Sequence, residues 1–507
     1  MCDEIMANRC KDFFPTCDYT MQRQSRRMEP VYLDHNATTP LHSRVKKAIV
    51  DSLETWGNPS SSNKFGEEAK SVVEQARRRV AKLFATKPKN IIFTSGGTET
   101  NNWIITAAID GFTCASGKRQ SLGVTIEHPS VQIPLRMREQ RGDIELFELP
   151  IDNKTGMVDI QTLAGLINEN TCLVTVMLAN NETGVYQPLK EISRIVHDSE
   201  FGAKIIIHSD VAQVVGKRRI ELEELGVDVV TVVGHKFYAP RIGALVWNDA
   251  SRPFTLEPLF YGGGQEDGRR SGTENTPMIA GFGIAAEEAA DETKQQIIIQ
   301  NKSAFQDELK RVFGDDVQIN FEESDRLENT VSASFLKSRI TACDIVDRAE
   351  TFIASTGAAC HATSVTPSAV LLACGISEHD AMRTIRFSFG TTPVSADDIN
   401  RVVEELRVLT TVTLLGTVSL ADIYKTPMFP YQHSLAFSSP TTIMFALRIV
   451  FLALVALVGF SVGCLSLGGG CCSHSSCPSY SKCPSYAAVA VAPYAPSYSA
   501  PAYSGKK

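Results

Sequence analysis

The stretch Val232-Val233-Gly234-His235-Lys236-Phe237-Tyr238 sets a lysine just beyond an apolar run that ends at Val233. Upstream, His208-Ser209-Asp210-Val211-Ala212-Gln213 closes a second run, Ile205–Ile207. Short, continuous apolar runs of this kind belong to strands of a mostly parallel sheet covered on both faces. A lysine after a buried strand is, taken alone, a solvated strand end. A lysine and an acid on neighbouring strand ends suit pyridoxal phosphate. The amine carries the cofactor as a Schiff base, and the carboxylate keeps the pyridine nitrogen protonated, so the ring draws electrons.

Working outward, the pattern from Val31 to about Thr410 alternates between helix and strand. Glu68–Phe84 predicts an amphipathic helix with Ala69, Val72, Ala76, Val80 and Leu83 on one stripe. Strands are expected at Ile91–Phe93, Leu122–Ile126, Leu173–Leu178, Ile205–Ile207, Val229–Val233 and Gly243–Trp247. After a helix around Ala280–Gln300 the texture changes, and Thr330–Phe335 and Ile385–Phe389 flank helical segments as in a smaller α+β domain. The expected organisation is a polar leader (1–30), a large α/β domain (31–285), a smaller domain (286–425) and a tail (426–507).

Four more segments sit after strands or offer donors. Thr94-Ser95-Gly96-Gly97-Thr98-Glu99-Thr100 lies between a strand and a helix, where backbone N–H groups at a helix start hold a phosphate. A tight turn is the plainer reading of that segment. Glu127-His128-Pro129-Ser130 offers a ring to stack on a flat cofactor. Asn180-Asn181-Glu182-Thr183-Gly184 offers an amide to a phenolic oxygen, or is simply a loop. Arg269-Arg270-Ser271-Gly272-Thr273-Glu274-Asn275 offers hydroxyl, backbone and guanidinium donors to an anion. Successive strand ends carry polar residues on their C-terminal sides, which is where open α/β sheets bind ligands.

With Tyr32-Leu33-Asp34-His35-Asn36-Ala37-Thr38-Thr39-Pro40 added, residues 31–410 resemble the cysteine desulfurase and selenocysteine lyase family of fold-type I pyridoxal-phosphate enzymes. The resemblance implies a large, mostly parallel, seven-stranded α/β/α domain with a smaller C-terminal α+β domain. It places Gly97, Thr98, His128, Asn181, Asp210, Gln213, His235 and Lys236 on the cofactor, with Lys236 and His128 also catalytic. Thr273 matches a residue that reaches the phosphate of a neighbouring subunit, so a homodimer is implied. In Ser355-Thr356-Gly357-Ala358-Ala359-Cys360-His361, Cys360 matches the family's reactive loop cysteine; a lone cysteine is otherwise a small buried hydrophobe. Arg386 matches the arginine that grips the substrate carboxylate in a two-pronged bond, and Asn36 is placed beside the substrate. The implied chemistry releases selenium or sulfur from an amino acid and leaves alanine, with an acceptor protein as a further partner. Val233, where bacterial-type desulfurases carry serine, and the run Gly357-Ala358-Ala359-Cys360-His361 look more like the lyase branch. Ala239 in place of a glycine, and a short His361–Thr366 segment, depart from it.

A net charge of −7, with no run of lysine and arginine, argues against nucleic acid as a partner. Eight of the 13 cysteines are scattered through residues 1–410 without CxxC spacing, which suits reduced thiols of the cytosol rather than a disulfide framework or a metal site. The other five crowd into residues 464–483. There, Ile449–Leu467 is uncharged and is followed by the repeat Cys477-Pro478-Ser479-Tyr480 and Cys483-Pro484-Ser485-Tyr486. This segment suits a secretory signal from a joined-on coding unit, a tail anchor in a membrane, or a buried helix. The low-complexity end has no means of forming a packed core.

Overall fold

In a computed structural model, the described residues are 29–113, 118–248, 256–357 and 366–411, with the backbone alone at 360–361 and 364–365. The segment Ile449–Leu467 and the Cys-rich repeat lie outside them. In chain order the strands are β1 (Val31–Tyr32), β2 (Ile91–Thr94), β3 (Arg119–Val124), β4 (Ile144–Leu149), β5 (Thr171–Thr175), β6 (Ile206–Asp210) and β7 (Val229–Val233). Then come β8 (Gly243–Trp247), β9 (Val317–Ile319), β10 (Thr330–Phe335), β11 (Phe352–Ile353), β12 (Cys360–His361), β13 (Ser364–Val365) and β14 (Thr384–Ser388).

Seven strands form the large sheet in the order β2-β8-β7-β6-β5-β3-β4. All run parallel except β8, which is antiparallel to both β2 and β7. Every residue of β7 is buried, as expected of a strand with helices on both faces. Strand β4 had no sequence signal. It lies at the sheet edge with Glu145 and Glu148 exposed, and Ile144-Glu145-Leu146-Phe147-Glu148-Leu149 therefore lacks a continuous apolar run.

The helix Lys64–Leu83 starts earlier than its stripe suggests, because Asn63 caps it by accepting from Gly66 N. Its core face is Ala69, Val73, Ala76 and Val80, so Val73 rather than Val72 is buried. The single helix expected around Ala280–Gln300 is two, Thr276–Ala289 and Glu292–Phe313. Asp291 makes the break by accepting from Thr293 N at 3.0 Å as the second helix's N-cap.

A second core lies around the antiparallel sheet β14-β10-β9. Phe305, Phe335, Phe352, Phe387 and Phe389 fill it, with the Phe305 and Phe387 rings 4.8 Å apart. Leu33, from the far end of the chain, packs in the same cluster, and β1 pairs with β11. The chain therefore crosses between the two cores at Asp34–Thr39, where Lys236 is also found.

The segment carrying Thr273 is tied down through one buried pair. Arg77 donates to both oxygens of Glu266, at 2.6 and 3.1 Å, and to the Ile91 carbonyl at 2.6 Å. Both side chains are nearly sealed from water. Glu266→Ala strands a buried guanidinium and should cost about 3–5 kcal/mol of stability, read as a lowered denaturation midpoint. A midpoint unchanged from the parent would show that the pair contributes nothing net.

Candidate active site

Five strand ends deliver the polar residues. The helix Gly97–Asp110 follows β2 directly, and its N-cap Gly96 offers no side chain to the first-turn N–H groups. Those donors are left to an outside acceptor at the positive end of the helix. The backbone comes close here because two side chains are missing. A Cβ at Gly97 would lie 2.6 Å from Val233 Cγ2, and one at Gly243 would lie 2.9 Å from the Gly96 backbone. Glu99, in the first turn, accepts from Ser95 N at 2.8 Å and from Arg270 through both oxygens, at 2.8 and 3.1 Å. The Arg270 pairing tethers the Thr273 loop beside the Gly97-Thr98 turn.

Asp210 closes β6 and is 8% exposed. Its Oδ2 accepts from Asn101 Nδ2 at 2.9 Å and its Oδ1 from Ala212 N at 2.9 Å. The same Asn101 amide donates to Ser130 Oγ at 2.8 Å, and Ser130 Oγ lies 2.8 Å from His128 Nδ1. This chain sets the plane of the His128 ring against Asp210. Burial lowers the His128 pKa, and Lys236 adds to that while Asp210 opposes it. Glu127 is also sealed in, with Oε1 accepting from Met177 N at 2.5 Å and Oε2 unpartnered among the described residues. Burial, then the charge of Asp210, pushes its carboxyl well above the carboxylate range.

Lys236 ends the turn Gly234–Lys236 after β7. Its Nζ donates to the carbonyls of Asn36 (2.7 Å) and Ala37 (2.8 Å). Burial, then the Arg386 guanidinium, lowers its pKa to about 8. Gln213 donates to the same Asn36 carbonyl at 3.2 Å. The Asn36 side chain is wholly engaged with protein. Its Nδ2 donates to Thr330 Oγ1 and Asn181 O, and its Oδ1 accepts from Lys217 and Asn329. Asn36 therefore presents its backbone carbonyl, not its side-chain amide, to the Lys236 amine. His235 faces Thr38, with Nδ1 3.2 Å from Oγ1, and burial lowers its pKa to about 4, so the ring is neutral.

Arg386 lies on β14, opposite Ser332 of β10. Its Nη2 meets Asp34 Oδ1 at 2.5 Å and its Nη1 donates to the Asn181 carbonyl at 3.1 Å. Its Nε has no partner among the described residues. That leaves Arg386 a buried guanidinium with one N–H unpaired among the described residues, a candidate to meet a carboxylate. Thr273 is exposed on its loop. Cys360 opens β12, whose backbone pairs with β13, and its side chain lies outside the described residues. Residues 97, 98, 128, 181, 210, 213, 235, 236 and 386 thus line one region at the C-terminal edge of the large sheet.

The family profile of class-V aminotransferases matches residues 31–402. Selenocysteine lyase of Xenopus laevis is 40% identical over 401 residues, covering 74% of this chain and 93% of that protein. Cysteine desulfurase IscS of Rickettsia massiliae is 40% identical over 367 residues, covering 71% and 86%. The solved structure of a NifS-like protein superposes with a TM-score of 0.67 at 30% identity, covering 76% of this chain and all of that one.

The chain belongs to the aminotransferase class-V family.

Members of this family are enzymes that depend on pyridoxal phosphate, and the residues present fit that cofactor. A buried carboxylate with no ion-pair partner among the described residues, a lysine lowered to about 8 and an uncapped 14-residue helix are the three features it needs. Lys236 would anchor it, Asp210 would face the pyridine nitrogen, and the Gly97-Thr98 turn would take the phosphate.

Asn101, Lys217 and Glu127 escaped the sequence reading. Asn101 sits one helical turn after Gly97 and so shares its face, a spacing that could have flagged it. Lys217, four residues after Gln213, donates to it at 3.1 Å. Burial lowers the Lys217 amine well below an ordinary lysine.

The Lys236 amine reacts as the free base, and that fraction rises as pH climbs through the group's pKa. Cofactor uptake by apoprotein should therefore accelerate from pH 7 and level off above about pH 9, not above about pH 11 as for an ordinary lysine. The rate at which bound-cofactor absorbance appears, measured across pH, checks this. A rate still climbing beyond pH 10 would contradict the lowered amine.

Proposed function

We propose that the chain is a carbon–chalcogen lyase acting on L-selenocysteine, with cysteine desulfuration as the competing reading. The supporting observation is the 401-residue match to a selenocysteine lyase, longer than the 367-residue match to a desulfurase at the same identity. The site suits a small amino acid. We assign the α-carboxylate to Arg386, whose guanidinium Asp34 and the Asn181 carbonyl hold in place and whose Nε has no partner among the described residues. Pyridoxal phosphate, when bound, supplies the electron sink. Lys236, free of its resting bond, removes the α-proton and returns one to carbon. Asp210 would face the ring nitrogen and favour its protonated form, and His128, fixed by Ser130, would offer its ring to the cofactor.

The atoms balance as follows. The C–Se or C–S bond breaks and its electron pair stays with carbon, which takes up a proton and becomes alanine. The chalcogen leaves as a zero-valent atom. Sulfur forms an S–S bond with the Cys360 thiolate. Release of selenium as selenide takes two electrons from a pair of external thiols, which become a disulfide. We assign Thr273, exposed beside the phosphate turn, to the cofactor phosphate of a second copy, and place the enzyme in the cytosol with a protein acceptor for the chalcogen.

Selenium leaves carbon more readily than sulfur, so Cys360 matters less to it. Cys360→Ala should abolish alanine formation from cysteine. Alanine formation from selenocysteine should fall by no more than about 10²–10⁴-fold, the span of general-acid help. Alanine produced from both amino acids by parent and variant, with dithiothreitol present, is the measurement. Equal parental turnover of the two amino acids would replace the lyase reading with the desulfurase one.

A further inference from the structure

The turn that carries Asn181 also carries Glu182, and this carboxylate does nothing in the chemistry above. Asn180 holds the turn rigidly. Its Oδ1 accepts from Glu182 N at 2.8 Å and Thr183 N at 2.9 Å, and its Nδ2 donates to the Ile126 carbonyl at 3.1 Å. Gly184 closes the turn at φ +78°, donating to the Asn180 carbonyl at 3.0 Å.

From this base Glu182 meets both ends of the Cys360 segment. On the far side, Ser368 Oγ donates to Glu182 Oε2 at 2.5 Å while capping the helix Ala369–Ala373 through Leu371 N. On the near side lies Gly357, at φ +63°. A Cβ there would stand 2.2 Å from Glu182 Oε2 and 2.8 Å from its carboxyl carbon. Glycine is thus demanded twice at 357, by its backbone and by the carboxylate packed against it. Two residues earlier, Ser355 exchanges backbone hydrogen bonds with Arg386, at 3.2 and 2.7 Å. The Arg386 guanidinium is the cation whose field reaches the Glu182 carboxylate.

We propose that Glu182 is a positioning residue that fixes the entry and exit of the Cys360 segment, at Gly357 and Ser368, to the same turn that presents Asn181. The proposal rests on the reading of Cys360 as the sulfur-receiving thiol. One rigid turn would then set the distance between the cofactor side of the site and the thiol. Glu182 touches no reacting atom, so its loss should leave the early chemistry intact and impair only transfer to the thiol.

The experiment uses the full-length holoenzyme and three readouts. These are bound-cofactor absorbance, exchange of the α-proton of L-alanine with D₂O, and single-turnover transfer of cysteine sulfur to Cys360 read by mass spectrometry. The exchange needs Lys236 and Arg386 but no thiol. Glu182→Ala should keep absorbance and keep exchange within about twofold of the parent, while sulfur transfer slows about 10- to 100-fold. Glu182→Gln keeps an acceptor for Ser368 and should restore most of the transfer rate. Ser368→Ala removes a single hydroxyl and should slow transfer alone, which keeps the test decisive if Glu182→Ala folds poorly. Parental transfer rates in both Glu182→Ala and Ser368→Ala would overturn the proposal. So would equal losses of exchange and transfer, which would make Glu182 a general structural residue. Cys360→Ala is the separate control. If it still desulfurates cysteine, the thiol assignment itself fails, whatever the Glu182 variants do.

Discussion

The buried amide of Asn36 is the joint on which the site depends. It is 1% exposed and links the N-terminal segment to Thr330 and Asn329 of the smaller core, and to Lys217 and Asn181 of the larger. Its carbonyl receives Lys236 and Gln213. Every polar atom of the side chain is satisfied, and a satisfied buried network is stiff, since each lost partner leaves a desolvated group behind. The Lys236 amine therefore rests on a part of the chain that belongs to both cores, and its position follows their relative packing.

Charge is distributed so that positive groups crowd one another. Burial, then the charges of Lys236 and Arg386, depress Lys217, and burial, then Arg386, depresses Lys236. Against them stand Asp34, spent on Arg386, and Asp210, which has only neutral donors in contact. The result is a lysine that sheds its proton near neutral pH and an acid left free to pair with a ring nitrogen. Both are conditions for a group that binds an amine covalently and draws electrons from it.

The turn at 180–184 shows how one short segment serves two directions. Asn181 uses its carbonyl to hold Arg386, and Glu182 meets Gly357 and Ser368. A side chain at Gly357 would collide with that carboxylate, so glycine there answers a steric demand as well as a backbone one.

The sequence by itself determined the architecture. Apolar runs at Val229–Val233 and Gly243–Trp247 became strands with those same limits, because short apolar runs bounded by polar or turn residues suit strands buried on both faces of a sheet. Lys236, Asp210 and the Gly97 turn were legible because each directly follows such a run. The edge strand β4 was not, since Glu145 and Glu148 face water and break its apolar pattern. Nor were the break at Asp291, the antiparallel course of β8, or the roles of Asn101, Lys217 and Glu182. These depend on which side chains meet across gaps of tens to hundreds of residues. Asn101 acquires its role only when packing sets it beside Asp210, and Glu182 only when Gly357 and Ser368 arrive from far along the chain. Local periodicity encodes elements and their ends, while long-range hydrogen bonds between buried groups exist only once the tertiary structure has removed water from around them.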